Sequence, residues 1–365
     1  MKPKKIYLMS PLLLAALAWN GCKPGSSTSG SGGGVSVSGS GSGISAPAPP
    51  GAPTYRLITN GISPFWDSMV KGMTEEASAL KVNAGWSGPN PSNNTEQIKI
   101  FNDDMAAHAD GIGLSAVDPN GITPTINQAI AQGIPVISFD SDAPGSNRLA
   151  YLGTNNYQAG LLAGKAALKL FPNGGKLIAF VGTMSQDNAR QRYQGFEDAI
   201  KGSSVQFIAQ PMQDNQDKGA AISNVTNAIT RYMSQGLNGL VGLYSYNGPA
   251  IIAAVQRLNL RSKYKIICFD GDPATLKGLT TGMVDLTVVQ KPFEFGKLSI
   301  ELLNELHNNH NNVDKAFQDM KPELDKLGMK VDMKKHTIDT GVTVITPANA
   351  APFLQYLKEK GIEST

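Results

Sequence analysis

PVISFDSDAPGSNRLAYLGTNNYQAG occupies residues 135–160. Its first apolar run, 136–139, reads as a strand buried on both faces, and it stops on Asp140, Ser141 and Asp142. In an open α/β sheet the carboxyl ends of strands are where ligands bind, because the loops leaving that edge converge over a crevice. The plainer reading of Asp140 and Asp142 is an Asp/Pro/Gly turn facing solvent. A second apolar run, 149–153, is followed by the polar break Thr154, Asn155 and Asn156, and from Tyr157 by a helix of small residues. The stretch therefore carries a ligand-facing acid and a crossing from one layered unit into another.

On either side, short apolar runs alternate with amphipathic stretches. Residues 55–59, 111–116, 136–139, 177–181, 206–209, 239–243 and 266–269 read as strands. Residues 64–80, 94–107, 122–132, 157–171, 188–201, 218–235, 248–258 and 292–306 read as helices. This alternation predicts an α/β fold with parallel, doubly wound sheets. There are too many units for one small sheet, so two Rossmann-like lobes facing each other are expected, divided at the polar crossing 154–156. Within 331–365 the reading is a polar connection, a strand at 342–345 and a last helix at 348–360.

Lys2, Lys4 and Lys5 precede an apolar stretch, 6–17, too short for a mature membrane span and suited to an export signal over 1–22. Residues 23–53 are mostly Gly, Ser, Ala and Pro, a composition unable to bury enough surface to order itself. They read as a tether spanning roughly 30 Å end to end. Of the two cysteines, Cys22 closes the export signal, and Cys268 sits in an apolar run and reads as a small buried hydrophobe. A net charge of +3, with no basic run interleaved with aromatics in the folded part, argues against nucleic acid.

Most catalytic chemistries lack their groups. No G-x-G-x-x-G follows the first strand, and GLLAGK (160–165) has Ala166 where a P-loop needs Ser or Thr, so it reads as a helix with small residues facing the sheet. No histidine of the four has a second at zinc spacing, the Asp-rich turns lack the spacing of a calcium loop, and no nucleophile elbow occurs. No metal and no cofactor are expected. What falls at strand ends is a binding set: Ser63, Phe65, Trp66, Asp140, Arg190, Asn247, Asp270 and Gln290. A sugar matches it, with an apolar face for the aromatics and a rim of hydroxyls for carboxylates, guanidinium and amides. Singly, Phe65 and Trp66 could staple a core, and Arg190 could pair with Asp187 or Glu197 on a solvated helix.

SPFWDSMVKG (63–72), GIPVISFDSD (133–142), YLGTNNYQAG (151–160), ARQRYQGF (189–196), FDGDP (269–273) and VVQKPFEFG (288–296) resemble the periplasmic sugar-binding proteins of ABC importers, the type I periplasmic binding proteins for ribose, galactose, glucose or xylose. The resemblance runs from about Tyr55 to Ile345. It implies Phe65 and Trp66 as stacking aromatics, Asp140, Arg190, Asn247 and Asp270 as hydroxyl binders, and Gln290 as a hinge-side amide. Ser63 stands where ribose binders carry asparagine, and Ser141 where many carry an arginine whose loss counts against ribose; FDSDAP (139–144) with LGTNNY (152–157) is more similar to members that bind glucose or xylose. Thr154, Asn155, Asn156, Lys291 and Pro292, with the region around Thr340, would form a three-segment hinge between a first lobe of 54–154 plus 291–330 and a second of 155–290 plus 331–365. Gly21-Cys22 resembles a lipobox, with Trp19 where leucine is usual, and implies lipidation of Cys22 and a membrane anchor. The family implies a monomer that closes on a monosaccharide and delivers it to a membrane permease. Two other classes stay open: a sensor presenting a sugar or autoinducer to a chemoreceptor or kinase, and a sugar hydrolase or isomerase.

Overall fold

The computed structural model describes residues 43, 44 and 48–363. The expected export signal, Cys22 and most of the expected tether lie outside the described residues. In chain order the strands are β1 (Gly43–Ile44), β2 (Thr54–Ile58), β3 (Asn83–Ser87), β4 (Gly111–Leu114), β5 (Val136–Phe139), β6 (Ala150–Gly153), β7 (Gly175–Val181), β8 (Val205–Phe207), β9 (Met212–Gln213), β10 (Gly239–Gly242), β11 (Lys265–Phe269), β12 (Leu286–Val289), β13 (Lys330–Asp332), β14 (Thr337–Asp339) and β15 (Thr343–Ile345). The α-helices are α1 (Phe65–Leu80), α2 (Asn94–Ala106), α3 (Pro119–Ala131), α4 (Asn156–Leu170), α5 (Asp187–Ile200), α6 (Lys218–Tyr232), α7 (Asn247–Arg257), α8 (Pro273–Thr280), α9 (Pro292–Asn308), α10 (Val313–Lys326) and α11 (Ala350–Lys360).

Two sheets result, in the orders β1-β3-β2-β4-β5-β6-β14-β13 and β15-β12-β11-β10-β7-β8, with β9 beside β7. Each is parallel through its middle, as strands buried on both faces require, and antiparallel only at its margins. Every residue of β4, β5, β6, β10 and β12 is buried. Each sheet carries one apolar core on either face, and both lobes lie in one compact unit.

The strand order corrects the expected division at one place. Residues 330–339 form the β13–β14 hairpin, and β14 adds to β6 in the first sheet through Thr337, Ile338 and Asp339. Only from Thr340 does the chain return to the second lobe, where β15 pairs with β12. Ile338 is the sole fully buried side chain of the hairpin, so no alternating apolar pattern marks it.

The chain crosses between sheets after β6, after β12 and after β14. Tyr151 holds the first crossing: its hydroxyl donates to Asp140 O (3.0 Å) and Thr154 O (2.9 Å). The third is tied to it, because Thr340 N donates to Gly153 O (2.9 Å) and Asn155 N to Asp339 Oδ1 (3.0 Å). Asn155 also caps α4 through its side chain, and Pro292 starts α9, where an amide hydrogen is not needed.

Helices α4 and α9, entered directly from the other lobe, pack on the first helix of the lobe they join: α4 on α5 and α9 on α1. Both pairs touch backbone to backbone through glycine. A Cβ on Gly72 would collide with Phe293 O, and one on Gly160 with Arg192 O. Gly160 and Gly164 of GLLAGK therefore face α5, while Ala163 is buried in the core that covers the second sheet. This contact fixes the height of Arg192 over the second sheet.

Candidate functional site

At the carboxyl edges of the two sheets the lobes meet around a cavity of about 50 Å³. Asp140 follows β5 in the first lobe and Asp270 follows β11 in the second, each the first acid of a Phe-Asp-x-Asp segment. Both have left-handed backbones, with φ of 55° and 65°, a conformation that is uncommon outside glycine and concentrates at functional sites. They are 2% and 3% exposed.

Arg192 of α5, 1% exposed, lies between them. Its Nη2 is 4.0 Å from Asp140 Oδ1 and its Nη1 is 4.0 Å from Asp270 Oδ2, so it is charge-paired with both acids but too far for a hydrogen bond to either. Nε donates to Asn156 Oδ1 (2.9 Å) and Nη1 to Leu243 O (2.8 Å), which locks the guanidinium, while Nη2 has no hydrogen-bond partner among the described residues. The carboxylates are equally fixed on their far sides. Asp140 Oδ2 accepts from Ser115 Oγ (2.8 Å) and Asn188 Nδ2 (3.4 Å), and Asp270 Oδ1 accepts from Gln290 Nε2 (2.9 Å). Each keeps one oxygen toward the arginine. Gln290 Oε1 and, beside the cavity, Gln186 Nε2 are likewise buried without a partner.

Burial pushes the Asp140 carboxyl above the usual range, against the opposing pull of Arg192 and of its hydrogen bonds. Asp270 is pushed up to about 7 by burial, with Asp140 adding to the shift, while Arg192 and Gln290 oppose it. Two carboxyls and one guanidinium thus meet between aromatic side chains. Phe65 and Trp66 pack edge to face at 4.8 Å, Trp66 sits edge-on to Phe139 at 5.9 Å, and the Arg192 guanidinium lies 5.0 Å from the Phe269 ring and 5.9 Å from that of Tyr244.

Of the residues expected from sequence, Ser63, Phe65, Trp66, Asp140, Asp270 and Gln290 line this cavity. Arg190 does not. Its side chain is 47% exposed, pairs with Asp187 (3.0 Å) and donates to the carbonyls of Met184 and Ser185. Two residues on a helix is about 200°, so Arg190 and Arg192 point to opposite sides. The apolar stripe Ala189, Tyr193, Phe196 and Ile200 is the signal that selects Arg192. Asn247 is fully buried behind the wall, with both polar atoms committed: Oδ1 accepts from Tyr244 N (3.0 Å) and Nδ2 donates to Asp214 Oδ2 (3.0 Å). Ser141 is also buried beside the lining rather than in it; its carbonyl holds Ala116 N (2.9 Å). Thr154, Asn155, Asn156, Lys291 and Pro292 lie at the crossings described above, and Asn156 additionally orients Arg192. Asn60, Asn188, Gln216, Tyr244 and Tyr246 line the cavity and were not expected. Tyr244 and Tyr246 follow β10, so their place at a strand's carboxyl end is a signal that the amide of Asn247 obscured.

A larger groove of about 950 Å³ lies at the opposite, amino-terminal edge of the first sheet and gathers His108, His307 and His310. None of its lining side chains has a buried atom lacking a partner, so it has no built recognition group.

Two α/β lobes, three crossings and a cavity lined by carboxyl, guanidinium, amide and aromatic side chains at the facing strand ends define a two-lobed binding protein. The chain belongs to the family described as periplasmic binding protein domain, whose model matches residues 57–311. It is similar to the xylose/arabinose-binding protein XylF of Sulfolobus acidocaldarius, 26% identical over 68% of this chain and 65% of that protein. It is also similar to the ribose import binding protein RbsB of Salmonella typhimurium, 24% identical over 67% of this chain and 81% of the relative. Among solved structures, an ABC transporter solute-binding protein from Burkholderia graminis C4D1M, in complex with D-arabinose, superimposes with a TM-score of 0.71. The two are 26% identical, over 81% of this chain and 96% of that one. Among the described residues no helix is long and apolar enough to cross a membrane.

Proposed function

We propose that the protein is exported, captures a glucose- or xylose-like aldose between its lobes by closing on it, and delivers it to the membrane permease of an ABC importer. One observation carries this reading. A buried carboxyl from each lobe lies 4.0 Å from a single fixed guanidinium, too far for a direct hydrogen bond, so hydroxyls approaching from the cavity can donate to the acids and accept from Arg192 Nη2. Phe65 and Trp66 supply the apolar wall against which a ring's C–H face packs. Relatives named for xylose, arabinose and ribose support the ligand class, and an import binding protein among them supports the permease. They also support a binding protein over an enzyme.

Because the acids come from different lobes, a sugar that bridges them favours the closed state by its differential contacts. The three crossings are the segments that would flex. Export and anchoring rest on the sequence alone: an apolar leader, Cys22 as the lipidated residue and a Gly/Ser/Pro tether reaching from the membrane to a monomeric two-lobed domain. Titration calorimetry against D-xylose, L-arabinose, D-ribose, D-glucose and D-galactose tests the reading. At least one should bind at micromolar concentration or below, and at 100 times its Kd stabilise the fold by about 2.7 kcal/mol. A panel without any binder would overturn it.

A further inference from the structure

The second lobe holds the first not only around the cavity but across its mouth. Asp214 follows β9 and is 3% exposed. One carboxylate oxygen accepts from the Tyr246 hydroxyl and from Gln216 N (2.9 Å), and the other accepts from Asn247 Nδ2 (3.0 Å). Between Asp214 and Asp217 the chain turns through two successive left-handed residues, Asn215 (φ 54°) and Gln216 (φ 63°), a conformation that asparagine tolerates but that is uncommon for glutamine, and the Asp214 carboxylate holds it through Gln216 N. What this turn presents is the side chain of Gln216. Its Nε2 donates to Ser92 Oγ of the first lobe (3.0 Å), and Ser92 Oγ donates on to Asn60 O (2.5 Å). A Cβ on Gly61 would lie 2.6 Å from Gln216 Oε1, so the amide rests directly on first-lobe backbone.

We propose that Gln216, positioned by Asp214, is the clasp of the closed state: it sets how long a bound sugar is retained, while recognition is left to Asp140, Arg192 and Asp270. The inference rests on the sugar-binding reading. The Gln216–Ser92 bond joins the lobes and must break before the cleft opens, whereas a sugar enters an open cleft in which it is not formed. Its loss therefore acts on dissociation and hardly on association. One net neutral hydrogen bond corresponds to about 2- to 12-fold in rate.

The experiment is a double-mutant cycle with D-xylose, followed by stopped-flow tryptophan fluorescence. Gln216→Ala and Ser92→Ala should each raise koff by about 2- to 12-fold with kon within about twofold of wild type. Gln216→Ala made in the Ser92→Ala background should add less than about 1.5-fold, because the bond is already gone. Gln216→Asn, whose residue tolerates the left-handed backbone but whose shorter amide cannot reach Ser92, should match Gln216→Ala and excludes a folding effect. Effects that multiply, or an unchanged koff, would overturn the proposal. A second arm needs no sugar. In the full chain carrying Cys22→Ser, spin labels on the exposed positions Glu96→Cys and Lys218→Cys report the lobe separation. Gln216→Ala should lower the ratio of closed to open molecules by a like factor, and an unaltered ratio counts against the clasp. If wild type fails to bind D-xylose or any other aldose, the sugar reading falls, and this second arm still decides the role of Gln216.

Discussion

Replacing Arg192 with methionine removes the only cation between two buried acids and keeps the volume of the stem. The structure sets the magnitude. Asp140 and Asp270 are almost fully buried, each is held by hydrogen bonds on its far side, and each loses its 4.0 Å charge partner. Breaking a buried pair in this way costs about 3–5 kcal/mol, since the stranded charge has no water to return to. Arg192 opposes the upward shift of both carboxyls, so its removal raises them further. Their folded-state values then lie still further above the unfolded value, and the penalty shrinks as pH falls and the acids take up protons. Urea unfolding of the sugar-free protein at pH 7.5 and pH 5 reads both effects. Arg192→Met should lose about 3–5 kcal/mol at pH 7.5 and clearly less at pH 5. Arg190→Met, which removes a half-exposed pair with Asp187, should lose about 0–1 kcal/mol and retain sugar affinity. Equal losses for the two variants, or a cost independent of pH, would refute the placement of Arg192 between the acids.

Three further outcomes follow, two from the same geometry and one from the sequence of the leader. Trp66 belongs at once to the first-lobe core and to the cavity wall, so Trp66→Ala should lower stability by about 3–5 kcal/mol and weaken sugar binding as well, measured by thermal melting and calorimetry. Asp270, raised to about 7 against an unfolded value near 4, stabilises the fold fully below that unfolded value and loses its contribution as pH rises through 7. Between pH 5 and 7 the sugar-free protein should therefore become less stable with rising pH, and Asp270→Asn should flatten that slope by up to about 1.4 kcal/mol per pH unit. Cys22→Ser should move the protein from the membrane fraction to the soluble fraction, and a variant that stays with the membrane would remove the anchor from the account.

What could be read from sequence was what burial writes plainly. β5 and β11 are apolar runs that end on an aspartate, and both acids lie in the cavity. β3 stayed hidden because Asn83, Gly85 and Ser87 leave it no apolar run, and its order comes from pairing with β2. The β13–β14 hairpin offers too few buried side chains to show a period of two, so its residues passed for a connection. α10 did carry a signal: Val313, Ala316, Phe317, Met320 and Leu324 repeat at helical spacing and are buried, but Pro322 interrupts the pattern. Arg190 and Arg192 illustrate the limit at the site. Composition placed an arginine there, and only the phase of the α5 stripe says which one faces inward. The clasp at Gln216 is less legible still, because it depends on a turn of two left-handed residues that no short motif encodes.

The central claim is that one sugar is held by two lobes, and lobe separation tests it most directly. Small-angle scattering of wild type, Asp140→Ala and Asp270→Ala, each with and without an aldose that saturates wild type, gives the answer. Each substitution strands a hydroxyl and should cost about 1–3 kcal/mol or more, hence tenfold or more in affinity. Wild type should contract on adding sugar, and at that concentration both variants should stay extended. A wild type that binds an aldose without contracting, or variants that contract as it does with unchanged affinity, would contradict the account.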